Sequence, residues 1–197
     1  MELRTAALWM TRIGPEAEGE AEFTLLLERA IAGDVSAFEQ IIVRYERRVF
    51  TLAWRLLGSF EDAQDASQEV FLRAFRFLHR FDKRRPLEPW LVRMTVNVCR
   101  DFGRKRRSQP NALVDFDAIP STSNPYSDLH SEEQRRTLYR VLQQLPEKER
   151  AAVVLRDIEG LSTAEVAEIL GSSEATVRVQ ISNARLKIKE AIKRGQR

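Results

Sequence analysis

The sequence predicts an all-α protein made of two small helical domains joined by a flexible linker. Apolar residues recur three and four positions apart along most of the chain, whereas Val-Ile-Thr alternation between turn signals is scarce. Only 8 Gly and 7 Pro interrupt the 197 residues. Hydrophobic residues make up 43% of the chain and charged residues 31%, a composition that supports packed cores and argues against a disordered polyelectrolyte.

Four helical patterns fill the predicted first domain, residues 22–107. Gly33 and Gly58 separate the first three, because glycine readily takes the backbone conformation that ends a helix. Asp34 is placed to cap the second helix, and Ser59, with an acid three residues on, starts the third. The expected helices are about 22–32, Asp34 to Leu57, Ser59 to about Phe81, and about Pro89 to Arg106, with the loop DKRRPLE before the last.

Helical spacing fails between residues 108 and 128. This stretch, SQPNALVDFDAIPSTSNPYSD, holds three prolines and many Ser, Asn and Asp residues, which is typical of a linker between domains. The predicted second domain, residues 129–197, resumes with one helix to Leu145 and another to about Ile158. Pro146 is expected at the first position of that second helix.

Residues 161–183, LSTAEVAEILGSSEATVRVQISN, form two short amphipathic patterns tied by Gly-Ser-Ser. Ser162 and Glu165 make a capping box that starts the first helix. Gly171 can take the positive φ that ends it, and one of the two following serines caps the second helix. Small Ala167 lets the helices approach closely. The pair therefore has the mechanics of a DNA-binding helix-turn-helix, with an ordinary αα-hairpin as the alternative.

The second helix of this pair has an apolar inner face and a polar outer face. Val177, Ile181, Ala184 and Ile188 follow each other at spacings of four, three and four. The outer face offers donors to base edges and phosphates in a major groove, namely Arg178, Gln180, Asn183, Arg185 and Lys187. We therefore predict that this helix reads duplex DNA.

Positive charge is concentrated in two stretches, although the net charge is only +3. Residues 100–107, RDFGRKRR, hold five basic residues and one acid, and residues 178–197 hold seven basic residues and one acid. Two such patches favour two contacts with a polyanion, although each alone is equally compatible with a solvated helix face.

Several function classes are disfavoured by the residue content. A single cysteine, Cys99, leaves no disulfide framework or zinc finger, and we expect it to be a buried apolar side chain. The two histidines have no metal-ligand spacing, so neither a metal nor a cofactor is expected. Without a GxSxG or P-loop pattern, the alternative of an enzyme on a helical scaffold is remote.

The first 21 residues are expected to form a loose tail. Because the chain has no apolar run of membrane length, we expect a cytoplasmic protein without membrane insertion.

From about residue 22 to its end, the chain resembles the bacterial sigma factors of the extracytoplasmic-function (ECF) type. These belong to the sigma-70 family and have only its second and fourth domains. The stretches that carry the resemblance are DAQDASQEVFLRAF, WLVRMTVNVCRDFGRKRR, LPEKERAAVVLRDIEGLSTAEVAEILG and ATVRVQISNARLKIKE. The resemblance implies that residues 22–107 form sigma domain 2, a bundle that binds core polymerase and the minus-10 element. It implies that residues 129–197 form sigma domain 4, whose helix-turn-helix binds the minus-35 element.

On the third helix, the resemblance implies a contact with the clamp helices of the polymerase β′ subunit. Asp65, Gln68 and Glu69 match the positions that make this contact, and they group within about one helical turn. The buried side of the helix is expected to carry Val70, Phe71, Ala74 and Phe75. Without the resemblance, a solvated face is the more economical interpretation of the three polar residues.

For the stretch from Phe81 to Arg107, the resemblance implies that it opens the minus-10 element and holds a flipped base of the non-template strand. Such a base needs an apolar wall, a polar side chain for its edge and cations for its backbone. Phe81 and Leu87 are expected to form the wall, and Asn97 the edge contact, while Trp90 is expected in the core. The expected phosphate contacts are Lys83, Arg84, Arg100, Arg104, Arg106 and Arg107.

For the minus-35 duplex, the resemblance implies contacts from the second helix of the hairpin. Val179 and Gln180 stand where Ser and Arg are more usual in the family. Since Gln favours adenine and Val can touch a thymine methyl, we expect a shift toward A/T at those positions. The full set of expected contacts is Ser173, Thr176, Arg178, Val179, Gln180, Ser182, Asn183, Arg185 and Lys187.

Together these features predict a promoter-specificity subunit of bacterial RNA polymerase that performs no bond chemistry. The resemblance implies three partners: core polymerase, through its β′ clamp helices and β flap, promoter DNA, and an anti-sigma factor. The alternative is an autonomous helix-turn-helix regulator, which binds a palindromic operator without polymerase.

Overall fold

A computed structural model describes residues 20–107 and 129–195. All regular structure within these ranges is helical, which confirms the predicted all-α fold. The helices are α1 (Glu20–Ile31), α2 (Val35–Leu57), α3 (Phe60–Phe77), α4 (Leu87–Arg107), α5 (Leu129–Gln144), α6 (Glu147–Val153), α7 (Thr163–Leu170) and α8 (Glu174–Gly195). A 3₁₀ turn, Leu78–Arg80, follows α3, and a π turn, Val154–Ile158, continues α6.

The helices form two compact units. Of the described residues, the first unit takes 20–54 and 61–107, and the second takes 55–60 and 129–195. The predicted linker, residues 108–128, lies outside the described residues, as does the predicted tail up to residue 19. Among the residues that are described, no helix is both long and apolar enough to cross a membrane.

In the first unit, the apolar faces of α2, α3 and α4 pack against one another. Ile41 and Leu52 of α2, Val70 of α3, and Val96 of α4 are almost completely buried. Burying each such side chain stabilises the fold by about 1.5–3 kcal/mol. Cys99 is 4% exposed, which confirms the prediction that it belongs to the core.

Helix boundaries in the first unit follow the predicted caps, with differences of a few residues. The predicted cap of α2 is confirmed, because the Ala37 amide donates to Asp34 Oδ1 at 3.1 Å. Helix α1 begins two residues before the prediction, and α3 begins at Phe60 and gives way to the 3₁₀ turn after Phe77. Helix α4 begins at Leu87, before the predicted Pro89. A proline is tolerated there because the amides of the first turn have no partner within a helix.

In the second unit, the capping box and the turn between α7 and α8 are as predicted. Ser162 Oγ accepts a hydrogen bond from the Glu165 amide at 3.2 Å, and the Ser162 amide donates to Glu165 Oε2 at 2.7 Å. Gly171 ends α7 with a φ of 59°. The predicted inner face of α8, represented by Val177 and Ile181, is buried.

Helix α6 departs from the prediction at its start, whereas the helical stretch reaches the predicted end near Ile158 with π geometry in its last residues. Pro146 has a ψ of 140°, which is extended, so it precedes the helix as its N-cap and does not occupy the first helical position. The α-helix ends at Val153, and the residues up to Ile158 form the π turn. A π turn within a helix arises where one extra residue is accommodated, and it shifts the direction of the side chains that follow.

We predict that Ser162→Ala will destabilise the start of α7 by about 1 kcal/mol, because the amide of Glu165 loses its acceptor. Amide hydrogen exchange in residues 163–170 of the full chain should become about fivefold faster. The matched control is Ser172→Ala, which removes a neighbouring hydroxyl that does not cap α7. Equal exchange rates in the wild type and in Ser162→Ala would contradict the prediction.

The pH dependence of this cap has a defined sign. Hydrogen bonds with the side chain and the backbone amide of Ser162 lower the pKa of Glu165 in the folded protein. The contribution of the carboxylate is therefore fully present above its unfolded pKa, about 4.3, and is lost as the pH falls through the lower folded value. The difference in exchange between wild type and Glu165→Gln should accordingly stay constant from pH 7 to about 5 and shrink as the pH falls below about 4.

Candidate polymerase- and DNA-binding surfaces

The residues predicted to bind polymerase lie together on the exposed side of α3. Asp65 and Gln68 are exposed, and Glu69 is half-buried. Arg73, one turn further on, donates from Nε to Glu69 Oε1 at 2.6 Å and from Nη1 to Asp101 Oδ2 of α4 at 3.3 Å. The Glu69 carboxylate is therefore held in place by a cation that also contacts the neighbouring helix.

Two apolar side chains extend this surface, although neither was predicted to lie on it. Leu72 is 56% exposed, and it lies seven residues after Asp65, a spacing that places both on one side of a helix. Phe75 is 46% exposed, so the prediction that it is buried is wrong. Its ring contacts Phe38 of α2 at a centroid distance of 5.1 Å. The predicted buried neighbours Val70, Phe71 and Ala74 do lie in the core.

Two aromatic rings meet where the loop enters α4. The ring centroids of Phe81 and Trp90 are 5.2 Å apart, with the planes inclined by 54°, and both residues are half-buried. Trp90 therefore lies beside Phe81 at the surface, and its assignment to the core is wrong. Leu87 is 3% exposed, because it begins α4 with its side chain in the core. The accessible wall at this place consists of Phe81 and Trp90, without Leu87.

The outer side of α4 carries an amide and several cations in line with Trp90. Asn97 is exposed and lies two helical turns after Trp90 on the same side. Arg93 and Arg104 are exposed, and Arg100 is half-buried, along this side. Arg93 was not among the predicted contacts, although its position three residues after Trp90 indicates the same face.

The loop cations are anchored only weakly. Lys83 Nζ lies 2.7 Å from Glu28 Oε1 of α1, and both side chains are substantially exposed. Such surface pairs contribute about 0–1 kcal/mol, so Lys83 can exchange this partner for a phosphate. Arg84 is exposed, and its backbone amide donates to Asp82 Oδ1 at 3.1 Å. Arg106 and Arg107 end α4, and their side chains lie outside the described residues.

At the start of α8, two of the predicted DNA contacts also form the helix cap. Ser173 Oγ accepts a hydrogen bond from the Thr176 amide at 3.1 Å, and the two hydroxyl oxygens are 2.8 Å apart. Both residues are exposed at the helix N-terminus, where backbone amides favour a phosphate group. The predicted roles in capping and in DNA contact are therefore compatible.

The outermost side of α8 is partly apolar. Val179 and Leu186 are 59% and 57% exposed, and Ser182 and Asn183 between them are exposed. Arg178, beside them, pairs with Glu174 of the same helix at 2.7 Å, and both side chains remain largely exposed. Leu186 was not among the predicted contacts, although it lies seven residues after Val179.

Arg185 and Lys187 are oriented toward α6 and its π turn. Arg185 donates two hydrogen bonds to Asp157, of 2.8 Å from Nε and 2.6 Å from Nη2. This contact raises the pKa of Arg185 above its usual value. Lys187 Nζ lies 2.8 Å from both carboxylate oxygens of Glu149, which is mostly buried. The geometry therefore favours a role for both residues in fixing the orientation of α8.

Gln180 is half-buried at the flank of α8. Its Oε1 atom is shielded from solvent and has no hydrogen-bond partner among the described residues. A buried acceptor without a partner costs about 1–3 kcal/mol. The amide therefore gains energy by turning outward to a donor.

Comparison with known proteins agrees with this geometry. Residues 41–109 match the family model "Sigma-70 region 2", and residues 135–188 match "Sigma-70, region 4". The chain is 34% identical over 171 residues to the ECF RNA polymerase sigma-E factor of Escherichia coli K12, covering 82% of this chain and 89% of that protein. It is 35% identical over 178 residues to the ECF RNA polymerase sigma factor SigE of Mycolicibacterium smegmatis, covering 89% and 68%.

Solved structures show the same architecture. CnrH, in complex with the cytosolic domain of CnrY, superimposes with a TM-score of 0.61 at 28% identity, covering 86% of this chain and 96% of CnrH. The sigma factor RpoE of Bartonella quintana, in complex with the anti-sigma factor NepR, superimposes with a TM-score of 0.62 at 21% identity, covering 79% and 96%.

The chain therefore belongs to the sigma-70 family of RNA polymerase sigma factors, and within that family to the ECF type. Its function is that of a promoter-specificity subunit, and an autonomous helix-turn-helix regulator is not favoured.

We predict that Lys187→Gln will change the salt dependence of minus-35 binding less than Arg178→Gln will. Each phosphate contact contributes about 0.9 to the slope of log K against log salt, so Arg178→Gln should lower that slope by about 1. Lys187→Gln should leave it unchanged, because the ammonium is held by Glu149. The slopes are measured with polymerase holoenzyme on a labelled promoter fragment, and Lys189→Gln is the control on the same helix. A loss of slope in Lys187→Gln equal to that in Arg178→Gln would contradict the prediction.

Proposed function

We propose that the first unit binds core polymerase through α3 and holds the separated minus-10 strand against α4, while the second unit binds the minus-35 duplex through α8. The observation that carries the proposal is the line formed by Phe81, Trp90 and Asn97, with arginines along the same side of α4. Aromatic rings, an amide and cations in one line are the groups that an unstacked base and its backbone require.

On α3, Asp65, Gln68 and Glu69 form the polar part of the surface that binds the β′ clamp helices. Leu72 supplies an apolar anchor beside them, since it is 56% exposed at the same side of the helix. Protein interfaces commonly combine a buried apolar centre with a polar rim. This combination supports a protein partner on α3 in preference to a solvated face.

At the minus-10 element, a flipped base stacks against Phe81 and Trp90, and Asn97 bonds to its edge. An amide offers both a donor and an acceptor, which suits the Watson–Crick edge of a base. Arg93, Arg100 and Arg104 of α4 contact the phosphates of the displaced strand, together with Lys83 and Arg84 of the loop and Arg106 and Arg107 at the end of α4.

At the minus-35 element, α8 enters the major groove with its outer side toward the bases. Asn183 and Ser182 offer hydrogen bonds to base edges, and Val179 offers contact to a thymine methyl. Arg178, beside them, contacts a phosphate. Ser173 and Thr176 contact a phosphate at the start of the helix.

Gln180 turns outward to an adenine, which satisfies its buried oxygen. Arg185 and Lys187 hold the helix against α6 through their ion pairs with Asp157 and Glu149. They therefore contribute less than Arg178 to phosphate binding.

The protein performs no bond chemistry in this proposal. The free energy of binding to polymerase and to two promoter elements offsets the cost of separating the DNA strands. Because the two DNA-binding units belong to one chain, each raises the local concentration of the other at a promoter of the right spacing. Polymerase, through the β′ clamp helices and the β flap, fixes that spacing, and the protein acts in the cytoplasm.

An anti-sigma factor is the further partner that we propose. CnrH, which is similar in both fold and sequence, was solved with the cytosolic domain of CnrY. An anti-sigma factor would cover the polymerase-binding surface of α3 and so prevent binding to polymerase. A complex of the two proteins purified from the native cell would provide the direct evidence.

In vitro transcription with core polymerase, with and without this protein, on a fragmented genomic library tests the proposal. We expect discrete new transcription starts that share minus-35 and minus-10 sequences. Core polymerase that gains no promoter activity, together with a footprint by the protein alone on a palindrome, would support an autonomous regulator and overturn the assignment of Asp65, Gln68 and Glu69.

We predict that Phe81→Ala and Asn97→Ala will each weaken the binding of holoenzyme to a single-stranded minus-10 oligonucleotide. Loss of one stacking partner costs about 1–3 kcal/mol per base. An abasic site at the flipped position should weaken binding to the wild type by a similar amount, and binding to Phe81→Ala much less. Val43→Ala, an exposed apolar change on α2, is the control. Full sensitivity to the abasic site in Phe81→Ala would refute the stacking role.

We predict that Gln180→Arg will move the preference at one minus-35 base pair from adenine toward guanine. Glutamine is suited to adenine, whereas arginine makes paired hydrogen bonds to guanine, a difference of about 1–3 kcal/mol. Selection of randomised minus-35 sequences with wild-type and variant holoenzyme measures the change, with Lys189→Arg as the control. An unchanged base preference in Gln180→Arg would rule out readout by this residue.

A further inference from the structure

We propose that Arg73 and Asp101 couple the polymerase-binding surface of α3 to the DNA-binding surface of α4, as positioning residues that touch neither partner. The proposal rests on the proposed roles of Glu69 in polymerase binding and of Arg104 in DNA binding. It adds a physical connection between the two, which makes the affinity for one partner depend on the other.

The connection is a continuous chain of four charged side chains. On α3, Arg73 donates from Nε to Glu69 at 2.6 Å, and across to α4 it donates from Nη1 to Asp101 Oδ2 at 3.3 Å. The other oxygen of Asp101 accepts a hydrogen bond from Arg104 Nη2 at 3.1 Å. The chain therefore alternates in sign from Glu69 to Arg104 and crosses from one helix to the next.

The environment of the chain favours coupling over independent surface pairs. The side chains of Arg73, Glu69 and Asp101 are only 34%, 38% and 37% exposed, so solvent screens them less than fully exposed charges. Arg104, at the outer end, is 81% exposed, so its weak pair with Asp101 is readily exchanged for a phosphate. Hydrogen bonds to Glu69 and Asp101 raise the pKa of Arg73, which is consistent with a cation shared between two carboxylates. Networks of this kind are more strongly coupled than isolated surface pairs.

Competition for shared partners determines the direction of the effect. When polymerase engages Glu69, that carboxylate holds Arg73 less strongly, and Arg73 moves its hydrogen bonds toward Asp101. Asp101 then holds Arg104 less strongly, and the guanidinium of Arg104 becomes available to a phosphate. By linkage, DNA that draws Arg104 away strengthens polymerase binding by the same factor.

Arginine is required at position 73 because two different nitrogens serve the two carboxylates. Its planar guanidinium presents several donors in a fixed arrangement, whereas lysine presents one compact ammonium. Arg73→Lys therefore keeps the charge and one contact but loses the bridge. This substitution separates the coupling from the effect of charge alone.

The test measures how a single-stranded minus-10 oligonucleotide changes the affinity of the full-length protein for core polymerase. The coupling factor is the dissociation constant without the oligonucleotide divided by that with saturating oligonucleotide, obtained by fluorescence anisotropy of labelled protein. We expect Arg73→Lys and Asp101→Asn each to lower this factor about fivefold relative to the wild type. Asp101→Asn should also raise oligonucleotide affinity in the absence of core about two- to threefold, because Arg104 loses its ion pair with Asp101.

The matched control is Arg76→Lys, the same change three residues further along α3, and it should leave the coupling factor unchanged. A coupling factor in Arg73→Lys and Asp101→Asn that stays within about 1.5-fold of the wild type would overturn the proposal. A decrease of the coupling factor in Arg76→Lys as large as that in Arg73→Lys would also overturn the proposal, because the effect would then not depend on the bridge.

Two further variants separate this failure from a failure of the underlying assignments. Glu69→Gln should weaken binding to core, and Arg104→Gln should weaken binding to the oligonucleotide. If both effects occur and the coupling factor is unchanged in Arg73→Lys, only the coupling is wrong. If neither effect occurs, the proposed roles of Glu69 and Arg104 are wrong, and so is the proposed coupling between them.

Discussion

The burial of one side of α4 controls the direction in which its functional side chains point. Leu87, Leu91, Val96 and Cys99 are buried, and Thr95 between them satisfies its hydroxyl by donating to the Leu91 carbonyl oxygen at 2.8 Å. A helix has only one rotation about its axis that buries all of these side chains. The same rotation brings Asn97 and the exposed arginines to the opposite side, in line with the ring of Trp90. The packing that buries the inner side of α4 therefore also determines the geometry of the proposed DNA-binding surface.

The second unit uses the same constraint and adds electrostatic contacts. Val177, Ile181, Ala184 and Ile188 bury the inner side of α8, and ion pairs from Arg185 to Asp157 and from Lys187 to Glu149 lie on its two flanks. The flanking pairs resist rotation of α8 in either direction. The π turn of α6 supplies Asp157, so the irregular backbone there contributes to the position of the proposed recognition helix.

Charge in this protein is arranged as much to position side chains as to attract DNA. Several cations that the sequence marks for phosphate contact are already paired with acids: Lys83 with Glu28, Arg104 with Asp101, Arg178 with Glu174, Arg185 with Asp157 and Lys187 with Glu149. The pairs differ in exposure, and hence in how readily DNA replaces the acid. A count of basic residues therefore overstates the charge that is available to the polyanion.

The amino-acid sequence was sufficient to predict the all-α class, the capping box at Ser162, the end of α7 at Gly171 and the buried side of α8. These features depend on residues that are close in sequence, and local hydrogen bonding and the helical period fix them. Tertiary structure alone decided that Leu87 is buried, that Phe75 is exposed, and that Trp90 lies beside Phe81. It also decided that Arg73 joins Glu69 to Asp101. Such outcomes depend on which helix packs against which, and contacts between residues distant in sequence leave no periodic pattern.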